Sequence, residues 1–210
     1  MIGFLLIGEA AGGEFAAGMN LGYYSGTSIQ LHAGAYNFTK SIPLSARLSI
    51  GYTWLNPGNA ADARKIFIND ATNGTPEKHG TIRIYQFDLF YPLKIKSIPG
   101  AKLYFGPRHA RFKGNFKYIG GNEDFDVTST QWGWGVGMES SLAMNPRLSL
   151  LVGGGIEYYA GTKMQGHDTA YSPDGDDVNP RQGYTYDDAD AAINQPGFEL
   201  RLMIGFTYRL

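Results

Sequence analysis

The sequence has no cysteine in its 210 residues. That excludes a disulfide framework and thiolate-ligated metals, and it says nothing about the compartment. Charge is scarce: 18 Lys and Arg against 19 Asp and Glu leave a formal net charge of −1. A chain so close to neutral offers no electrostatic case for a nucleic-acid partner. No run approaches the length of apolar sequence that a membrane-spanning helix needs, roughly 20 residues. No helical period of comparable length competes with the alternation described next.

What the chain does have is a period of two. Its last residues read FELRLMIGFTYRL. Phe198, Leu200, Leu202, Ile204, Phe206, Tyr208 and Leu210 fall on one face, with Glu199, Arg201, Thr207 and Arg209 on the other. Successive side chains of a strand point to opposite faces, so this is a β-strand. It is longer than the roughly 9–11 residues that take a tilted strand across a bilayer.

The pattern recurs. WGWGVGMESSLAM sets Trp132, Trp134, Val136 and Met138 against Gly133, Gly135, Gly137 and Glu139. LSARLSIGYTW sets Leu48, Ile50, Tyr52 and Trp54 against Arg47, Ser49 and Thr53. Eight strands are predicted, over 14–24, 27–38, 44–56, 81–95, 101–118, 131–144, 147–162 and 198–210. In the fifth, the apolar parity is odd at Leu103 and Phe105 but even at Ala110, Phe112, Phe116 and Tyr118. A β-bulge within Pro107 to Ala110 would produce that flip.

The connections sort into two kinds. Short links at 39–43, 96–100 and 145–147 share one end. The tetrapeptide KSIP occurs in two of them, at 40–43 and 96–99, and reads as turn chemistry, with Pro stopping the ladder. The other end has one tight turn, 24–27, and long loops at 57–80, 119–130 and 163–197. Loop 57–80 contains AADARKIFIND, which suits a short helix or a hairpin extension. An even strand count with short turns at one end and long loops at the other describes a transmembrane barrel. The mean hydropathy of −0.25 does not oppose this, because only alternate residues need be apolar. The aromatics agree: Tyr23, Tyr52, Trp54, Trp132, Trp134 and Tyr158 lie toward the long-loop end, Tyr91 and Tyr208 toward the other. The expected architecture is therefore all-β, an eight-stranded antiparallel up-and-down transmembrane β-barrel spanning 14–210 as one domain. Residues 1–13, MIGFLLIGEAAGG, read as a lead-in or signal-like remnant that lacks a basic start.

The bulky apolar face is too large for an eight-stranded lumen, so it is assigned to lipid and the small and polar face to the interior. Glu14, His32, Arg47, Asp88, Lys102, Arg108, Glu139, Glu157, Glu199 and Arg201 then face inward. Isolated buried charges are costly, so these groups are expected to pair and to fill the lumen. A narrow channel for small solutes or ions is the alternative. A lipid-modifying enzyme is a second alternative, but His32, His79, His109 and His167 show no nucleophile–base pairing in the sequence. No catalytic residue is assigned and no enzyme is expected.

The loop 163–197 holds Asp168, Asp174, Asp176, Asp177, Asp187, Asp188 and Asp190, with Lys163 and Arg181 its only Lys and Arg. Within it, PDGDDVN places Asp174, Asp176, Asp177 and Asn179 around a Gly turn. Oxygen donors in that arrangement suit calcium, although the spacing is not that of an EF-hand. A solvated acidic loop is the other reading. No other cofactor is expected.

The closing strand, LMIGFTYRL, resembles the carboxyl-terminal assembly signal of small bacterial outer-membrane barrels of the opacity-protein and attachment-invasion type. The resemblance covers about 14–210. It departs at Leu210, where that family usually has Phe. It implies a bacterial outer-membrane location, lipid contact, and a structural or surface-interaction role through extracellular loops toward a ligand or protein partner. It transfers no catalytic residues and leaves the oligomeric state open.

Overall fold

The computed structural model describes residues 14–36 and 43–210. The lead-in 1–13 and most of the first short link lie outside the described residues.

Eight strands close on themselves. They are β1 (Glu14–Tyr24), β2 (Thr27–Tyr36), β3 (Ser45–Leu55), β4 (Thr75–Pro92), β5 (Lys102–Ile119), β6 (Asp124–Ala143), β7 (Leu148–Tyr159) and β10 (Phe198–Arg209). Every neighbouring pair is antiparallel, and β1 pairs with β10 to complete the barrel. Closure removes the unpaired edges that an open sheet would present to lipid. Between β7 and β10 lie the short hairpin β8 (Met164–Gly166) and β9 (Thr169–Tyr171), which continues the sheet alongside β6. The helices are α1 (Ala60–Phe67) and α2 (Tyr186–Ala192). Among the described residues no helix is long and apolar enough to cross a membrane.

Alternation sets the two faces. On β10, Leu202 and Ile204 are both 53% exposed, whereas Arg201 is 4% and Thr207 7% exposed. The outward belt continues around the barrel through Leu31, Leu48, Phe87, Phe105, Val136 and Val152, all exposed. In a water-soluble protein so large a contiguous apolar surface would be a liability. Around a closed barrel it is the face that meets acyl chains.

The three hairpin strands β4, β5 and β6 run to 18, 18 and 20 residues. Their outer ends therefore rise beyond the bilayer as a projecting sheet, taking up most of the segment expected as loop 119–130 but only the last residues, 75–80, of that expected as 57–80. At its tip Gly120 takes φ +79°, a left-handed conformation that glycine reaches without a Cβ clash.

The expected bulge at Pro107 is absent. Gln86 stands opposite Arg108 and Leu89 opposite Phe105, so three steps on β4 match three on β5. The register with β6 is unbroken from Lys102 to Lys117. Phe105 is 50% exposed and Phe112 2% exposed, so they sit on opposite faces. The inward parity never changes; what changes is the medium on each side. Within the membrane, β5 turns Tyr104 and Arg108 inward. Above it, the inward side chains Ala110, Phe112, Phe116 and Tyr118 pack into an apolar core beneath the helices. The polarity inverts because lipid lies outside the lower barrel and water outside the upper sheet.

Candidate functional site: barrel interior and surface cap

The interior of the barrel is bridged by side chains from neighbouring and from distant strands. Arg108 of β5 lies 2.9 Å from Glu157 of β7 and 2.7 Å from Asp88 of β4. Arg47 of β3 reaches Glu139 of β6 at 2.7 Å. Arg201 of β10 is 3.6 Å from Glu157 and donates to Gln30 of β2 at 2.5 Å. Gln30 in turn donates to Gln86, which donates to Glu157 at 3.2 Å. Above this layer Tyr24 donates to Tyr159 at 2.7 Å, and Tyr159 to the second Glu157 oxygen at 2.9 Å. Arg47, Asp88, Arg108 and Glu157 are each 1% exposed or less. In a low-dielectric interior such charges persist only when paired and hydrogen-bonded.

Of the ten side chains expected inside, Arg47, Asp88, Arg108, Glu139, Glu157 and Arg201 form this network, and His32 is buried beside it with Nδ1 3.4 Å from Asn20. Lys102 and Glu199 are half-buried. Glu14 is exposed at the short-turn rim, paired with Arg209 at 3.4 Å. Tyr24, Gln30, Gln86, Tyr104 and Tyr159 belong to the network too. Sequence reading missed them because a Tyr or Gln on an inward parity carries no charge to flag it.

Pro107 interrupts the hydrogen-bond ladder of the wall. It has no N–H to donate, and the ladder between β4 and β5 lapses between Gln86–Arg108 and Leu89–Phe105. Arg108 covers the interruption from inside, donating to the carbonyls of Phe87 (3.4 Å), Gly106 (3.2 Å) and Pro107 (3.2 Å).

The long-loop end is covered by an ordered cap. Asn59 caps α1 by accepting from the Ala61 and Asp62 amides, and α1 buries Ala63, Ile66 and Phe67. Phe67 meets Tyr171 edge-on at 5.5 Å between ring centroids. Ala189, Ala192 and Ile193, in and after α2, complete the same core with Phe112, Phe116, Phe125 and Val127. Arg64 fastens α1 to the tip of the β5–β6 hairpin. It lies 2.6 Å from Glu123, donates to the Asn73 carbonyl at 2.7 Å, and stacks over Tyr118 at 4.3 Å. Asn69 also donates to Glu123, at 3.0 Å. Those two donors, Asn69 first and then Arg64, pull the Glu123 carboxyl down to about 2. Arg181 ties the acidic loop to α1, donating to the Ile68 carbonyl at 2.6 Å and pairing with Asp70 at 2.8 Å.

The four residues expected to bind calcium do not converge. Asp174 accepts from the Ser172 hydroxyl at 2.5 Å and the Asp176 amide at 3.2 Å. Asp177 accepts from the Ser172 amide at 2.7 Å. The Asp176 carboxylate is exposed, 3.8 Å from Lys163. Asn179 donates to the Asp168 carbonyl at 3.2 Å. Among the described residues no three acidic or His side chains are gathered to hold a metal ion. The histidines do not assemble a catalytic set either. His167 touches Asp168 at 3.1 Å on an exposed hairpin turn, and the nearby Thr169 hydroxyl donates to Asp168 and not to the His.

Among solved structures, the fold recurs in a major outer membrane protein from Thermus thermophilus, with a TM-score of 0.76 over 94% of this chain and 99% of that one at 23% identity. The chain folds as an eight-stranded antiparallel β-barrel, the fold of that outer membrane protein. Lower similarity extends to Neisserial surface protein A, with a TM-score of 0.44 at 15% identity over 97% of this chain and 100% of that one. It extends also to Ail, the attachment invasion locus protein of Yersinia pestis, with a TM-score of 0.48 at 12% identity over 94% and 97%. No protein-family model matches the sequence, and no curated protein matches it. The barrel sets the short turns, the start of β1 and the end of β10 at one end and the cap at the other.

Proposed function

We propose that this barrel is a non-conducting, non-enzymatic platform whose rigid cap binds a partner at the cell surface. The observation that carries the reading is the cap itself. Two helices and a hairpin share a hydrophobic core above the lipid belt, where a barrel needing only to be anchored would have short turns. Ordered loops on a rigid scaffold are the usual seat of recognition. The cap's exposed carboxylates, Asp70, Asp174, Asp176, Asp187, Asp188 and Asp190, favour a basic partner surface by charge complementarity. A closed lumen is supported by the bridges from Arg47, Arg108 and Arg201, in a barrel whose eight strands leave an interior about wide enough for side chains.

The test replaces 163–197 with a short Gly-Ser turn. The variant is expected to keep its barrel, read as the gel shift between heated and unheated samples, and to lose adsorption of polylysine shown by the full chain in nanodiscs. Equal adsorption by the two proteins would remove the cap as the binding surface. Planar-bilayer recordings of the full chain are expected to show no stable conductance, and a large steady one would favour the channel reading.

A further inference from the structure

Arg83 of β4 and Arg111 of β5 stand directly opposite each other, both exposed on the outward face. Like charges in that relation repel. Other outward cations on the upper strands have carboxylate neighbours. Lys113 is 2.7 Å from Asp126, and Lys117 has Glu77 across one ladder and Asp124 across the other. The arginines are flanked instead by Tyr52 and Thr130, and among the described residues neither makes an ion pair.

Their height on the barrel is telling. One outward pair nearer the membrane, Tyr85 faces His109, and His109 faces Trp132, the rings of the last two 4.7 Å apart. Such an aromatic layer sits at headgroup level, so the arginines lie at the outer edge of the lipid. From that layer downward the outward wall is indented by a groove of 590 Å³, with Tyr85, His109 and Trp132 along its upper end and Leu31, Leu48 and Phe87 below them. It lies over the ladder gap at Pro107. Two residues of strand, about 7 Å, separate the arginines from its upper end.

We propose that these features form one site for an anionic, phosphate-bearing lipid of the surrounding leaflet, its phosphate on Arg83 and Arg111 and an acyl chain in the groove. Guanidinium forks match phosphate oxygens in bidentate geometry. A phosphate between the two arginines converts their repulsion into a clamp. Free phosphate would satisfy the arginines and leave the groove empty. A zwitterionic lipid would fill the groove and bring a cation of its own to the clamp.

The test is native mass spectrometry of the full chain in detergent, with phosphatidylglycerol or phosphatidylcholine of identical chains added. One phosphatidylglycerol is expected to be retained in preference to phosphatidylcholine, and excess inorganic phosphate is not expected to displace it. Arg83→Gln and Arg111→Gln should each weaken retention about fivefold, the usual effect of one cation near an anionic lipid surface. Lys113→Gln, which removes a cation already paired with Asp126, should leave it unchanged. Ala33→Trp fills the groove from the outward face and should lower retention without touching the arginines. All four changes are on exposed positions, and the heat-shift assay confirms folding. Equal retention of the two lipids, displacement by inorganic phosphate, or unchanged retention in the Gln double variant or in Ala33→Trp would overturn the proposal.

Discussion

Arg108 and Glu157 meet at 2.9 Å although their strands, β5 and β7, are separated by β6. The contact is possible because β6 turns glycines inward. A Cβ on Gly135 would collide with the Arg108 guanidinium, and one on Gly137 with the Tyr104 ring. The small residues of WGWGVG are the space into which the large side chains of β5 reach. Removing Glu157 leaves Arg108 with Asp88 alone and strips Arg201 and Tyr159 of a partner. Glu157→Ala is expected to cost about 3–5 kcal/mol, as for other broken buried pairs. The double replacement Arg108→Met, Glu157→Leu should be no milder, because it takes the Arg108 pair from the buried Asp88 and the Glu157 pair from Arg201. Urea unfolding in lipid vesicles measures both, and a single variant as stable as the parent would contradict the assignment.

Phe206 tests the opposite face. It is 46% exposed, and its ladder partners are Met19 and Leu150, in the lower half of the belt. Phe206→Arg should destabilise the barrel by about 2–4 kcal/mol if it lies near the midplane, with smaller losses toward either rim. Single-Cys labels at Leu202, Ile204 and Phe206 should be reached by a lipid-phase quencher, and labels at Arg201 and Thr207 should not. Equal quenching at both parities would refute the facing.

The barrel was legible because alternation is local. Each strand of FELRLMIGFTYRL or WGWGVG type declares its two faces without knowledge of the rest, and turn residues such as Asn145-Pro146 mark where it ends. The charged half of the interior followed from parity alone. The cap was not legible, because it rests on contacts far apart in sequence: Phe67 on Tyr171, Arg181 on Ile68, Arg64 on Glu123. The same limit explains the false bulge. Phe112 and Phe116 are inward residues like Arg108, and only the presence of α1 and α2 makes an apolar inward face correct there.

Glu123 should give the cap a pH dependence. Its carboxyl sits near 2 in the folded cap against an ordinary 4.5. A depressed carboxyl contributes stability that is present above the unfolded value and lost as pH falls through the folded one. The window is therefore about 4.5 down to 2. Limited proteolysis with an acid-active protease should show α1 and the 69–74 segment opening progressively across that window. In Glu123→Gln cleavage should already be raised at neutral pH and vary less below it. A parent profile as flat as that of the Gln variant would show that the Arg64–Glu123 contact does not hold the cap.

The acidic loop is the final case, and protein donors meet most of its carboxylates. Each Asp has a local use. Asp188 forms a reciprocal capping box with Thr185, and Asp187 lies with it in the first turn of α2, where the positive end of the helix dipole favours carboxylates. The Thr185 hydroxyl, then the Thr185 amide, hold the Asp188 carboxyl below its ordinary value. Asp190 accepts from Gln195 at 2.6 Å. Asp174 and Asp177 close the turn around Ser172, and Asp174 is likewise held low, first by the Ser172 hydroxyl. The repulsion expected of so many carboxylates is thus distributed over separate donors. Thr185→Ala should loosen α2 by about 1 kcal/mol, the usual worth of an N-cap, and raise proteolysis within 163–197. Adding calcium or a chelator to the parent should leave the cleavage rate unchanged. Protection that rises with calcium and falls with chelator would instead place an ion among Asp174, Asp176, Asp177 and Asn179 and require the turn to rearrange around it.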